Sequence, residues 1–592
     1  MKKFFWMVVF SLLAGSLTAK PKYAVALFHY NFQYVAGDYR IEARIVRESL
    51  WPALQFFEKH PRYRVDLEFQ GYAIETMARE YPEVLKLLKK LVRRGQIELV
   101  IAHYSDQFFI AYPAIDLRRS ITMSDSILHL YGLQRSRVFF GQEIQYSPGL
   151  ATALKGLYDV VVTSSDPYSW YRGSIPPLVR VVYGHDEILG WMGGGEKKLK
   201  NLEWTWSFLD DGEVFNTLDY KSDFYRVPEQ EKKNIGRFRE LEREGYRFVT
   251  ISELVKILKD DPDYTIPVAG FIPEGTWNMS VCGPFMWMGR QRSGVETDGL
   301  TRALSYRLRG EVLAAEKMVE HVKDRVDRSL LEKVLAWLRE AWKHLFLSEV
   351  SDSSGWTPWP VEVQYTANEV AQARMYLQRI YEALQELLPE APRRWRVDTR
   401  SGSVTTLQHP AVAPSFSEDY LPLPLYVRAA AYHTVVKKVG EHLWQLDISC
   451  IRPADGAVEI AFPTSGEGLY YSAGCGEEIM VEVPVDLKRD PALALSNGFL
   501  YLGNGYTLIK DCSVEHLAVT WKRKERRAVF REELNENNPG MKMRFYIYKG
   551  DKAEGHRLAN RLNTWPVIEM WVEEGRVRTE KVFPLPEDMT NK

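Results

Sequence analysis

The chain is poor in the residues that mark metal and redox proteins. It carries only four cysteines, Cys282, Cys450, Cys475 and Cys512, with no CxxC pair, and its 12 histidines never recur at HxH, HxxH or HxxxH spacing. No local zinc motif is encoded, and no cofactor or metal ligand is assigned, although a site assembled from distant residues stays open. A net field is missing as well. Lys plus Arg (77) offsets Asp plus Glu (78), leaving a formal charge of −1, so nothing draws in nucleic acid or an anionic membrane surface. Beyond the N-terminus no run is long and apolar enough to cross a bilayer, which predicts no membrane span. Internal repeats and low-complexity tracts are absent too.

What is present starts at the N-terminus. Lys2 and Lys3 precede an apolar run over residues 4–13, followed by the small residues Ala14, Gly15, Ser16 and Ala19. That pattern reads as a signal peptide over residues 1–19 and predicts a secreted or periplasmic protein. In an oxidising compartment one disulfide among the cysteines and isolated buried thiols fit equally well. At 592 residues the chain exceeds one hydrophobic core and should divide into several domains. Its 17 Trp and 32 Tyr offer flat faces that stack on sugar rings as readily as they fill cores.

From residue 23 to about 249, short apolar runs alternate with helical patterns. "YAVALFH", "YRVDLEF", "QIELVI", "VFF", "YDVVVT", "WTWSFL" and "RFVTIS" read as strands, separated by helices over residues 42–59, 82–94, 116–130 and 229–244. Alternation of this kind implies a parallel α/β sheet, open or closed into a barrel. Long amphipathic helices follow over 304–323, 330–347 and 367–388, interrupted by the loop "SDSSGWTPWP". After a composition shift at "LPEAPRRWRVDTRSG", short alternating runs split by Gly, Asn and Pro predict an antiparallel β-sandwich-like domain.

In parallel α/β folds, ligands bind where strands end. His29 and Asn31 follow the first strand, His103 and Asp106 the third, Glu143 the fourth, and Asp210, Asp211 and Glu213 follow "WTWSFL". Carboxylates there must be paired or used, because an unpaired buried carboxylate is costly. Two of them across a cleft are the minimum equipment for glycoside hydrolysis. Surface ion pairs, and for Asp211 a simple Asp-Asp-Gly turn, would explain the same residues without catalysis.

Five segments together resemble glycoside hydrolase family 57. "FHYNFQY" (28–34) is similar to its first motif, "RGQIELVIAHYSDQFFIAYP" (94–113) to its second, "GQEIQYSPGL" to its third, "FLDDGEVF" (208–215) to its fourth and "PEGTWNMSVCGPFMWMG" (273–289) to its fifth. "LFLSEVSDSSGWTPWP" resembles the family's loop that closes over the site. The resemblance implies a (β/α)7-type incomplete barrel over 20–300, a helical subdomain over 301–392 that lines the cleft and a β-rich domain over 393–592. It implies a retaining enzyme acting on α-glucan-type oligo- or polysaccharides, with Glu143 as nucleophile and Asp211 as acid/base. His29, Gln33, Glu213, Trp277, Asp352, Trp356 and Trp359 would contact substrate. The chain departs from the first motif, placing Phe32 where the family has a second histidine and Tyr34 where it has proline, while "TLDYKSDF" makes Asp219 a competing acid. Asp211 is preferred because Glu213 keeps the motif's second carboxylate. A carbohydrate-binding pseudoenzyme and a metal-dependent deacetylase or mannosidase-like hydrolase are the alternatives.

Overall fold

A computed structural model describes residues 20–583, less 174–175, 194, 218–226, 280–282, 290–296, 356–357, 386, 388–393, 408–418 and 538. The signal-peptide segment, Asp219, Cys282 and Trp356 lie outside the described residues.

The first strands are β1 (Lys22–His29), β2 (Val65–Phe69), β3 (Ile97–Ile101), β4 (Val138–Phe140), β5 (Val160–Thr163), β6 (Leu178–Tyr183), β7 (Asp186–Met192), β8 (Glu203–Asp211) and β9 (Arg247–Phe248). One parallel sheet runs β3-β2-β1-β8, with β9 also pairing β1, and a second runs β4-β5-β7-β6. In the first sheet β2 and most of β1 are buried on both faces, as their apolar runs require. Between them, the helix α1 (Pro82–Arg93) begins at Pro82, where its missing N–H is no loss, and gives way to Gly95 at φ +69°. A departure from the expected alternation is the hairpin β6–β7, antiparallel within an otherwise parallel sheet. Val181 and Tyr183 point into the core between exposed neighbours, a period-two pattern without the helix that a parallel crossover would need.

Three long helices follow: α2 (Asp298–Val322), α3 (Arg328–Ser348) and α4 (Pro360–Leu384). Two are capped by side chains, Thr297 accepting from the Leu300 N–H and Asp327 from the Leu330 N–H. The C-terminal third is antiparallel β-structure. There β10 (Leu443–Ile451) pairs with β13 (Gly540–Lys549), and β11 (Ala457–Pro463) pairs with β12 (Arg527–Glu533). Phe462 and Phe530 of the second pair each lie 5.1 Å from the Phe545 ring of the first, so the two sheets share a core. That core also packs against the segment that follows β4. Cys450, Cys475 and Cys512 are buried free thiols. Among the described residues no helix is long and apolar enough to cross a membrane.

Candidate active site

Register in the first sheet builds one wall of the site. His29 at the end of β1 stands opposite Glu68 of β2 and Asp211 of β8, so the three side chains form a row across adjacent strands. Glu68 pairs with His29 Nδ1, and the Nε2 of His29 has no protein partner. Burial works against a charged His29. The Glu68 carboxylate, aided by Asp106 and Asp211, outweighs it and holds the imidazole cationic well above its ordinary range.

The opposite wall is made by loops. Glu143 sits on the turn after β4 at φ 59°, ψ 18°, and Ile144 follows at φ 45°, two successive left-handed non-glycine residues. Such a conformation costs about 1–3 kcal/mol per residue and persists only where surroundings enforce it. Here the enforcing contacts come from Trp277, whose backbone N–H donates to the Glu143 carbonyl (3.2 Å) and whose indole N–H donates to the Glu143 carboxylate. Ser351 adds a hydroxyl at 3.4 Å.

Both walls face one cavity of about 520 Å³, lined among others by His29, Glu143, Asp211, Trp277, Trp287 and Asp352. Five predicted site residues are thereby brought together with Trp287, which the sequence reading did not single out. Trp277 is 41% exposed and stands at the rim, whereas Trp287 is 2% exposed and stacks on Phe108. Asn31 also went unassigned. Its backbone N–H donates to Glu213 (2.7 Å) and its amide donates to Asp352 (2.9 Å), tying the β1 loop to the loop between α3 and α4. That second loop is held by Arg302 of α2, fully buried, which donates to the carbonyls of Glu349, Val350 and Ser351. No periodicity distinguishes such an arginine from a surface one, and an Asn after a strand is ordinary turn chemistry.

Three predicted substrate contacts turn away from the cavity. Gln33 donates to the Tyr365 hydroxyl (3.1 Å) and accepts from the Asp106 N–H (3.2 Å), clamping two segments behind the wall. Glu213 is fully buried beneath Asp211, where it accepts from Asn31. Trp359 precedes α4, its N–H bonded to Glu362, and packs on the helical core. Phe32 is buried edge-on against Phe69. The departure from the first motif therefore enlarges the core and removes nothing from the described lining of the cavity.

Electrostatics separate the two carboxyl groups. Burial pushes Glu143 up to about 8, with Asp352 and Asp211 adding to the push and the Trp277 indole and His29 opposing it. Burial also raises Asp211, but only to about 6, because the His29 cation beside it favours the anion. Both groups thus hold a proton more readily than an ordinary carboxylate, Glu143 the more so. Between about pH 6 and pH 8 the pair holds a single proton.

Comparison with known proteins accords with this arrangement. Residues 31–227, which include Glu143 and Asp211, match the family model of glycosyl hydrolase family 57. An alpha-amylase of Pyrococcus horikoshii is 26% identical over 126 residues, which are 21% of this chain and 20% of that protein. A 4-alpha-glucanotransferase of Thermococcus kodakarensis is 27% identical over 187 residues, 30% of this chain and 28% of the relative. The chain thus spans well under half the length of these curated relatives. In fold, an alpha-mannosidase of Enterococcus faecalis is similar over 95% of this chain and 90% of its own, with a TM-score of 0.59 at 9% identity. The matched segment supplies the carboxylates of both walls, so the similarity to glycosyl hydrolase family 57 covers the part of the chain that carries Glu143 and Asp211.

Proposed function

We propose that the protein is an exported retaining glycoside hydrolase or transglycosylase acting on α-glucan-type oligo- or polysaccharides. The observation that carries this reading is the meeting of Glu143 and Asp211, from different strands, in one sugar-sized cavity with an exposed indole at its rim. Amylase and glucanotransferase relatives supply the substrate class. The parallel strands are read as a (β/α)7-type incomplete barrel over 20–300, followed by a helical subdomain over 301–392 and a sandwich-like domain over 393–592.

In the first step the Glu143 carboxylate attacks the anomeric carbon, the glycosidic C–O bond breaks, and the Asp211 proton passes to the departing oxygen. In the second, Asp211 takes a proton from water or from an acceptor sugar's hydroxyl, that oxygen attacks the anomeric carbon, and the ester to Glu143 is released. The reactive form is the tautomer with the proton on Asp211. Burial favours the proton on Glu143 over Asp211, so that form is the less populated of the two. Substrate contacts that favour ionised Glu143 and displace the proton toward Asp211 are therefore part of catalysis. Incubation with maltooligosaccharides, resolving product lengths and anomers, tests the reading: retained α-anomers from the wild type, lost in Glu143→Gln, are expected. Undiminished turnover in that variant would sink it.

A second reading rests on the end-to-end fold likeness to an alpha-mannosidase. Turnover of an aryl α-mannoside, with maltooligosaccharides untouched, would favour it.

A further inference from the structure

We infer that a turn of the C-terminal β-domain, residues 473–477, is a positioning element of the candidate active site, acting through the backbone N–H and carbonyl of Gly474. This inference rests on the assignment of Glu143 above. The Gly474 N–H donates to the carboxylate of Glu274 (2.8 Å), and the Gly474 carbonyl accepts from the Ser147 hydroxyl (2.5 Å). Glu274 and Ser147 are both fully buried and lie on the two segments that determine the nucleophile's geometry. Ser147 is four residues after Glu143, and Glu274 is three residues before Trp277.

These two segments are themselves laced together. Tyr146 and Gly275 exchange backbone hydrogen bonds at 2.8 and 3.0 Å, and the Trp277 N–H closes the ladder on the Glu143 carbonyl. The ladder ends where Gly474 begins, so one residue from the far third of the chain ties both of its rails. Space enforces the contact. A Cβ on Gly474 would stand 2.8 Å from the Ile110 carbonyl oxygen, and one on Gly149 would stand 2.4 Å from the Gly474 oxygen. A side chain on Gly149 would separate the turn from the loop, and one on Gly474 would push the turn off Ile110. Neighbouring bonds fasten the turn itself: Tyr183 donates to Gly476 (3.0 Å), and Glu477 accepts from the Ala114 N–H (3.0 Å).

Two left-handed residues at Glu143 and Ile144 need continuous external restraint, and a two-segment ladder open at its far end would supply less of it. The C-terminal domain therefore contributes to the geometry of the reaction without lining the described cavity.

Ser147→Ala and Glu274→Leu each remove one tie, while Glu274→Gln keeps an oxygen acceptor for the Gly474 N–H. Hydrogen exchange by mass spectrometry should show the amides of Tyr146, Gly275 and Trp277 exchanging about tenfold faster in the first two variants and near the wild-type rate in Glu274→Gln. On maltooligosaccharides kcat should fall about tenfold with KM within about threefold, and Glu274→Gln should restore it. Unchanged exchange in Ser147→Ala overturns the inference, as does faster exchange with unchanged kcat. Should Glu274→Leu not fold, Ser147→Ala decides alone. A wild type inactive on these sugars defeats the proposed function, while the exchange comparison still decides whether the turn holds the loop.

Discussion

The two walls of the cavity are built by different means. His29, Glu68 and Asp211 stand in a row because three neighbouring strands are in register, and each occupies an ordinary strand-end position. Glu143 stands opposite in a left-handed backbone, held by Trp277, by Ser351 and, beyond them, by a turn more than 300 residues away. The sheet-built wall is secured by its own backbone ladder. The loop-built wall depends on contacts that no local segment supplies, so substitutions there should disturb chemistry at a greater distance from the site.

The largest expected effect falls on the loop-built wall. Glu143→Gln should lower kcat by about 10⁴-fold or more, since the proposed covalent intermediate forms on its carboxylate. Asp211→Asn, on the sheet-built wall, should cost about 10²–10⁴-fold. A milder change at Asp211 than at Glu143, on substrates with good leaving groups, would sharpen the contrast. Equal losses would blur it.

Next comes Trp277→Phe, which removes a hydrogen bond to a charged group worth about 1.5–3 kcal/mol and should lower kcat about 10- to 100-fold in steady-state assays. Glu143 should also hold its proton more tightly once that donor is lost, moving the alkaline limb of kcat/KM upward. The wild-type kcat/KM profile should be bell-shaped, highest between about pH 6 and pH 8, where the pair holds one proton. Because the folded affinity of Glu143 for a proton is raised, its contribution to stability is complete below its ordinary value near 4.5 and is lost as pH rises through about 8. The Tm advantage of Glu143→Gln over the wild type should accordingly grow from pH 5 to pH 9.

On the other wall, Glu68→Gln takes away the carboxylate that keeps His29 charged, so the acid limb should rise by roughly one pH unit as Asp211 loses its cationic neighbour. The smallest expected effect on catalysis is that of Phe32→His. Restoring the family's histidine would place a polar ring against Phe69 in the core, so thermal unfolding should occur earlier while KM stays within about twofold.

Much of the sheet-built wall was legible in the sequence. The apolar runs of β1 and β8 ended in His29 and Asp211, although Glu68 went unassigned. Outside that wall, the strand Val138–Phe140 and the helix Pro82–Arg93 follow from apolar periodicity and the stop signals around them. Legibility failed where side chains answer to distant partners. Gln33 and Glu213 look like site residues because they stand within the motifs, yet their hydrogen bonds go to Tyr365, Asp106 and Asn31. Trp287 carries no local mark separating it from Trp277, since the difference between a rim and a floor is set by Phe108 and the Ser354–Gly355 loop, both distant in sequence. The β6–β7 hairpin escaped notice for a related reason. Its half-exposed strands lack the continuous apolar run that identified the others.

The cavity's acidity has a consequence for what can occupy it. Glu143, Asp210, Asp211, Asp352 and Glu362 all line it, and among the described lining residues His29 is the sole group able to carry positive charge. Uronic acids, sulfated sugars and phosphorylated sugars would meet this wall of carboxylates with repulsion at every approach. A sugar-shaped ring with a protonated nitrogen would meet attraction instead, and basic iminosugars should compete with neutral oligosaccharides at far lower concentrations than their hydroxyl pattern alone would explain.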